Sequence, residues 1–550
     1  MKNINLQFIL LSVLNAYIAA DAHSSLVVDS SYGSLRGKWM TSRGGRQFAT
    51  FLGIPYALPP TGHLRFLPPS PPLKWNGTRD ATVEGKACVQ REVRGDEDCL
   101  YLNVFTHSTN NSGQTSPVMV YIHGGGFYGG SSSLGMYGPE YLLDRNIVLV
   151  TLQYRLGVFG FLSTEDSIIP GNMGLKDQTI ALQWVQENIK VFGGDASKVT
   201  IFGNSAGSAS VHLHMLSPGS RRLFSKAISQ SGTALSAFAM IGRGTSRNIT
   251  FQLARSLNCS TDSSYQILNC LQNKTSTDVQ KKYSSLQDTK YEIKKVLFRP
   301  IVEEESENAF LTSNPLHIHT DKPWLVGINQ NEGLFKISLK HLNETIHLIK
   351  TEFDQFGPAV LFFEDTCSKP VEMAGLIYNF YFKNDSTKND MIVSIERVIS
   401  DSWFLWPTMQ SIGNHNGTLY CYLFNHTGEH SVTQFNGGPQ HFGVSHMDEL
   451  HYLFSRKRII PNGLNKVDEN VSKMLIDLWV NFAEETNPTP DSISSNPQQR
   501  GTNNSITWES SNSADPKFLL IETNMLSMVE NVFKTRMEFW KKLSVRDKIV

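Results

Sequence analysis

Val199-Thr200-Ile201-Phe202-Gly203-Asn204-Ser205-Ala206-Gly207 is an apolar, β-branched run that enters a Gly-x-Ser-x-Gly turn and continues into small residues able to start a helix. It reads as a nucleophile elbow. In such a strand-turn-helix the serine occupies a strained backbone position that holds its hydroxyl above a sheet, and the flanking glycines leave room for crossing chains. A glycine-rich turn is the plainer reading. With glycine and serine each near 7–8% of residues, a chain this long contains the pattern by accident roughly one time in four, so other segments have to agree.

They do. Val118-Met119-Val120-Tyr121-Ile122 reads as a buried strand and runs straight into His123-Gly124-Gly125-Gly126-Phe127. Successive glycines let backbone N–H groups turn toward a substrate oxygen with no Cβ in the way, which suits charge developing in a dry site. A hydroxyl nucleophile also needs a base, and the base an orienting carboxylate. Trp324 to Gly333 forms a short apolar strand ending in a polar turn with Glu332, and Gly443-Val444-Ser445-His446-Met447-Asp448-Glu449 follows later. Serine, then acid, then histidine is the chain order of α/β-hydrolases. Order alone does not choose among candidates: His441 and His451 compete with His446, and Glu303, Glu304, Glu305 and Asp321 compete with Glu332.

Further segments carry a family resemblance. They are Phe51-Leu52-Gly53-Ile54-Pro55-Tyr56-Ala57, Arg65-Phe66, Glu97-Asp98-Cys99-Leu100-Tyr101-Leu102-Asn103-Val104, the HGGGF loop, Gln153-Tyr154-Arg155-Leu156-Gly157, Gly174-Leu175-Lys176-Asp177-Gln178 and the GNSAG elbow. Together they resemble the type-B carboxylesterases, the superfamily of cholinesterases, insect carboxylesterases and juvenile hormone esterases, over nearly the whole mature length. The resemblance implies that Ser205 is the acylated nucleophile, Glu332 the acid and His446 the base. It gives Gly125, Gly126 and the Ala206 amide as oxyanion donors, and it leaves Asp448 and Glu449 structural. It also implies disulfides Cys88–Cys99 and Cys259–Cys270, each closing a loop worth roughly 2–3 kcal/mol in the chain-entropy model. For Cys367 and Cys421, a buried free thiol and a third bridge both stay open.

The chain departs from the cholinesterase pattern. No tryptophan lies between Cys88 and Cys99, where cholinesterases carry their cation-binding ring, and the residue before Ser205 is Asn204 rather than glutamate. A choline site is therefore not expected, because a quaternary ammonium is held mainly by aromatic faces. Juvenile hormone esterases usually have glutamine before the serine, so Asn204 leaves that substrate open.

Across 550 residues, Lys+Arg and Asp+Glu both total 50, so no strong field marks nucleic acid as a partner. Arg456-Lys457-Arg458 reads as a solvated loop, and Ser494 to Ser505 as an exposed polar loop. There is no internal repeat and no paired Cys-x-x-Cys or His-Glu-x-x-His metal pattern, so no cofactor or metal is expected. Lys2, the apolar Phe8–Leu14 stretch and Ala20-Asp21-Ala22 read as a signal peptide over residues 1–22, ahead of one catalytic domain over 23–550. The expected setting is secreted and extracellular, with no membrane anchor. Sequons stand at Asn76, Asn110, Asn248, Asn258, Asn273, Asn343, Asn384, Asn416, Asn425, Asn470 and Asn503. Asn470 opens an amphipathic pattern where a helix can form before modification.

Strand-like runs at Val118–Ile122, Ile147–Tyr154, Val199–Phe202, Lys226–Ser229, Trp324–Ile328 and Leu419–Phe424 are separated by longer segments. Leu175 to Val191 has largely helical spacing, and Trp184 and Trp479 read as core. The expected fold is α/β, an α/β-hydrolase with one large, mostly parallel, doubly wound sheet flanked by helices. The expected activity is hydrolysis of a small-molecule carboxylic ester through an acyl-enzyme. A noncatalytic adhesion or binding protein is the rival, and such members usually lack a triad residue.

Overall fold

The computed structural model describes residues 26–90, 94–109, 115–287, 296–439, 442–490, 506–523 and 525–548. The expected leader, Asn110, Asn503, His441 and the Ser494–Ser505 loop lie outside these residues.

Among the described residues fourteen strands form two sheets. β1 (Val27–Ser30), β2 (Gly33–Arg36) and β5 (Thr78–Asp80) make a small one. The large sheet contains β3 (Lys38–Thr41), β4 (Gln47–Pro55), β6 (Tyr101–Thr106), β7 (Ser116–Ile122), β8 (Val148–Leu152), β9 (Gly194–Asn204), β10 (Lys226–Gln230), β11 (Trp324–Asn329), β12 (Leu419–Phe424), β13 (Phe518–Ile521) and β14 (Leu526–Val529). Its order is β3-β4-β6-β8-β7-β9-β10-β11-β12-β13-β14. From β8 to β13 every pair is parallel, while β3, β4, β6 and β14 pair antiparallel at the edges. The parallel centre is the expected doubly wound sheet.

Both faces of that centre are dry, which is why its strands read as continuous apolar runs. In β7, Val118, Val120 and Ile122 enter one hydrophobic core and Met119 and Tyr121 the other. In β12, Leu419, Cys421 and Leu423 face the first core, and Tyr420, Tyr422 and Phe424 the second. Each fully buried large apolar side chain contributes roughly 1.5–3 kcal/mol, so a one-residue slip in either strand would exchange two packed sets at once.

Several sequence markers turn out to be buried fastenings. Arg155, in the loop after β8, donates from Nε and a terminal nitrogen to both oxygens of Asp177 at 2.8 and 2.7 Å, tying that loop to the helix Met173–Asn188. Arg65 grips Glu97 in the same two-pronged way at 2.6 and 2.7 Å. Such paired, charge-assisted bonds fix geometry more surely than they add net stability. The Cys88–Cys99 and Cys259–Cys270 disulfides are both formed. Cys367 and Cys421 are free and buried, so there is no third bridge between them, and burial pushes the Cys421 thiol up to about 12.

The run Arg456-Lys457-Arg458 differs from the sequence reading. Lys457 and Arg458 are exposed, but Arg456 is buried and donates to the Met447 carbonyl and to His451 Nδ1, both at 3.1 Å. It braces the loop that carries His446. The helix expected to Val191 tightens into a 3₁₀ turn at Ile189–Phe192. Trp184 and Trp479 are core residues, as read.

Candidate active site

The elbow comes first because its backbone is the most constrained part of the site. Ser205 has φ 60° and ψ −123°, a conformation that costs a non-glycine residue about 1–3 kcal/mol. It sits between β9 and the helix Ala206–Leu216, and its amide donates to Gln230 O at 2.9 Å. A Cβ on Gly207 would lie 2.0 Å from Ile122 O, and one on Gly203 would lie 2.6 Å from the same oxygen. Both glycines are therefore required for the elbow to pass over the end of β7.

The glycine loop packs against the elbow. A Cβ on Gly124 would meet Asn204 O at 2.5 Å and Ser205 Cβ at 3.0 Å. Gly125 and Gly126 have φ of 122° and 61°. Among the described residues, the Gly125 and Gly126 amides donate to no backbone carbonyl, and Ala206, as the first helical residue, has no intrahelical acceptor. The three unsatisfied donors belong to segments that meet at Ser205.

His123 sets the aim of one of them. It is fully buried, and its Nδ1–H donates to Gly124 O at 2.8 Å. Its ring stacks on Tyr154 at 4.5 Å, and Tyr154 Oη donates to His123 O at 2.8 Å. Because C=O and N–H point in opposite directions across a trans peptide, pinning the Gly124 carbonyl fixes the direction of the Gly125 N–H. Burial pushes the His123 imidazole down to about 4. The unfolded chain thus takes up the proton first, and the stability linked to His123 is present above about pH 6.5 and is lost as pH falls toward 4. Replacing His123 with Phe keeps the ring but removes the pin. We expect a kcat loss of roughly 10- to 100-fold with a smaller change in KM, and a shallower fall of the melting temperature between pH 6.5 and 4. Steady-state kinetics and thermal melts across that range check both.

Glu332 and His446 meet beside the elbow, the first in the turn after β11 and the second in the long loop that follows β12. Glu332 begins a 3₁₀ turn after β11 and is fully buried. One of its oxygens accepts from Ser231 Oγ at 2.5 Å and from the Asn329 amide at 2.7 Å; the other accepts from His446 Nδ1–H at 2.6 Å. That last bond assigns the imidazole tautomer, leaving Nε2 as the free base nitrogen. Of the competing acids, Glu303 is engaged by Lys176 at 2.5 Å and by Asn172 at 2.8 Å, so it pins the segment after Phe298 and not a histidine. His451 is taken by Arg456.

Glu449 holds these pieces in register. Its carboxylate accepts from Asn204 at 2.7 Å, Gln230 at 3.1 Å and Asn329 at 2.6 Å, which joins the elbow, β10 and β11 to the histidine loop. Burial, and after it the charge of Glu332, raises the Glu449 carboxyl. The asparagine before Ser205 thus has a local reason: its amide donates where a glutamate would set a second carboxylate against Glu449. Asp448 accepts from Ser431 Oγ and from the Val432 and Ser445 amides at 2.7–2.8 Å, and burial pushes it up to about 7.

Aromatic rings close the remaining side of His446. Phe335 lies 4.8 Å and Phe404 4.5 Å from its ring, centroid to centroid. Phe404 and Trp403 belong to a single π-helical turn, Asp401–Leu405, in which the Trp406 amide reaches back five residues to Asp401 O. Pro407 follows directly and has no N–H to continue a normal helical ladder from that turn. The sequence reading missed these rings, together with Ser231, Asn329 and the pinning role of His123. Pro407 just after an aromatic run was the one local signal.

A sequence profile described as the carboxylesterase family matches residues 24–540. The chain belongs to the carboxylesterase family. It is 37% identical over 513 residues to a juvenile hormone esterase of Tribolium castaneum, with 86% of each chain covered. It is 33% identical over 548 residues to venom carboxylesterase-6 of Apis mellifera, covering 94% of this chain and 93% of that one. Esterase FE4 of Myzus persicae is 34% identical over 493 residues, covering 85% and 86%. Carboxylesterase membership accounts for the α/β-hydrolase sheet, and it makes the chain an ester hydrolase by class. Among the described residues no group of three or more His, Cys, Asp or Glu side chains is placed to hold a metal ion, and no helix is long and apolar enough to cross a membrane.

Proposed function

We propose that this carboxylesterase is a secreted serine hydrolase working through an acyl-enzyme. Ser205 attacks the ester carbonyl while His446 Nε2 takes its proton, and the buried Glu332 carboxylate stabilises the imidazolium that forms. The Gly125, Gly126 and Ala206 amides receive the oxyanion. His446 returns the proton to the departing alcohol, then activates water, which releases the acid and regenerates Ser205. The chemistry needs no cofactor beyond water. The observation that carries this reading is the 2.6 Å bond from His446 to a carboxylate sealed from solvent, on the rim where the strained Ser205 turn meets three undonated amides.

The relatives make juvenile hormone the first specific ester to try. Secretion is supported by the leader-like residues 1–22 and by the two disulfides. Glycosylation is supported at Asn76, Asn248, Asn258, Asn273, Asn343, Asn384 and Asn416, which are exposed, and at half-buried Asn425, but not at Asn470, whose helix is the one the sequence led us to expect. Asn470 lies within the helix Lys466–Glu485.

The test is a kcat/KM panel on the purified, secreted protein, with aryl acetates, juvenile hormone and aliphatic methyl esters of graded length. Turnover of at least one class, with a pre-steady-state burst of alcohol, is expected. A folded, secreted protein that hydrolyses none of them would support the noncatalytic binding alternative.

A further inference from the structure

Lys336 ends the same 3₁₀ turn that begins with Glu332, and it is exposed. Its ammonium lies 5.3 Å from the ring centroid of Phe335 and 5.0 Å from that of Trp403. Phe335 is one of the two rings packed on His446, and Trp403 sits in the turn that carries the other, 5.8 Å from Phe335. The aromatic surface beside the base therefore already holds a cation of the protein. Among the described residues Lys336 makes no ion pair. An incoming quaternary ammonium would find these two faces occupied and would meet a like charge as well; a neutral or carboxylate-bearing ester meets neither obstacle.

We infer that Lys336 is a specificity-determining residue, selecting neutral and anionic esters over cationic ones from its place over the rings beside His446. The inference rests on the proposed ester hydrolysis at Ser205. It differs from the sequence argument about the missing tryptophan between Cys88 and Cys99, because it names a residue whose charge actively opposes cations and can be reversed.

The experiment compares kcat/KM for acetylcholine with that for its neutral isostere, in which carbon replaces the quaternary nitrogen, in wild type, Lys336→Glu and Lys336→Met. Lys38→Glu, an equal change of net charge on the edge strand β3, is the control. The neutral-to-cationic ratio should fall about 10-fold or more in Lys336→Glu, by less in Lys336→Met, and not in Lys38→Glu. In wild type the ratio should shrink as ionic strength rises. An unchanged ratio in Lys336→Glu, or an equal shift in Lys38→Glu, overturns the inference. Should Lys336→Glu fail to fold, an unchanged ratio in Lys336→Met together with a salt-independent wild-type ratio overturns it equally. If wild type cleaves neither ester nor any other in the panel, the proposed function fails and this inference falls with it. Turnover of the neutral isostere with an unmoved ratio would sink the role of Lys336 alone.

Discussion

Ser205→Ala is expected to fold and be secreted normally while kcat for any ester falls by about 10⁴ or more. The substitution removes one oxygen and keeps the Cβ that the turn already accommodates at φ 60°, so stability should change little. Binding should persist, because the amides and the aromatic rings beside His446 are untouched, and KM should change far less than kcat. The loss should also be non-additive. Adding His446→Ala to Ser205→Ala should cost little more, since the two act as one unit. Stopped-flow and steady-state assays of the single and double variants would show this. Independent, multiplying losses would contradict a shared mechanism.

Glu332→Gln is expected to lower kcat by on the order of 10³–10⁴, with Glu332→Asp intermediate. The carboxylate accepts three hydrogen bonds in a fully buried position, and one of these fixes the proton on His446 Nδ1. Glutamine supplies one acceptor oxygen and an NH₂ that donates. If the amide turns its nitrogen to the ring, the imidazole must present a bare Nδ1 and place its proton on Nε2, where it cannot act as a base. Asp448→Asn should instead change mainly the melting temperature, because Asp448 serves Ser431, Val432 and Ser445 and touches neither Ser205 nor Glu332. Measuring kcat and melting temperature for both variants separates the roles. Loss of kcat in Asp448→Asn with most activity retained in Glu332→Gln would mean that the acid is misassigned.

The parallel centre of the sheet was legible because burial on both faces leaves uninterrupted apolar runs such as Leu419–Phe424, which matches β12 end for end. The edges were not. β4 carries Gly53 and Pro55, residues that ordinarily break strands, and its register against β6 shifts between Phe51 and Ile54. Only antiparallel pairing at an irregular edge accommodates them. Arg456 was misread for a related reason: three basic residues in a row look solvated, and nothing local says that one turns inward to a carbonyl and a histidine. At the candidate site, the elbow turn and the glycine loop were readable because backbone geometry constrains sequence there. Glu332 and His446 needed the family resemblance, since nothing in the spacing of residues 332 and 446 reveals that the loops after β11 and β12 meet. Phe404 stayed hidden because its approach to His446 depends on one wide helical turn.

The most direct test of the account is the mass of the protein after reaction with a fluorophosphonate ester, followed by peptide mapping. A single adduct per chain is predicted, located on Ser205, formed in parallel with loss of esterase activity and absent from Ser205→Ala. An adduct on another residue, or full inactivation of Ser205→Ala by the same reagent, would contradict it.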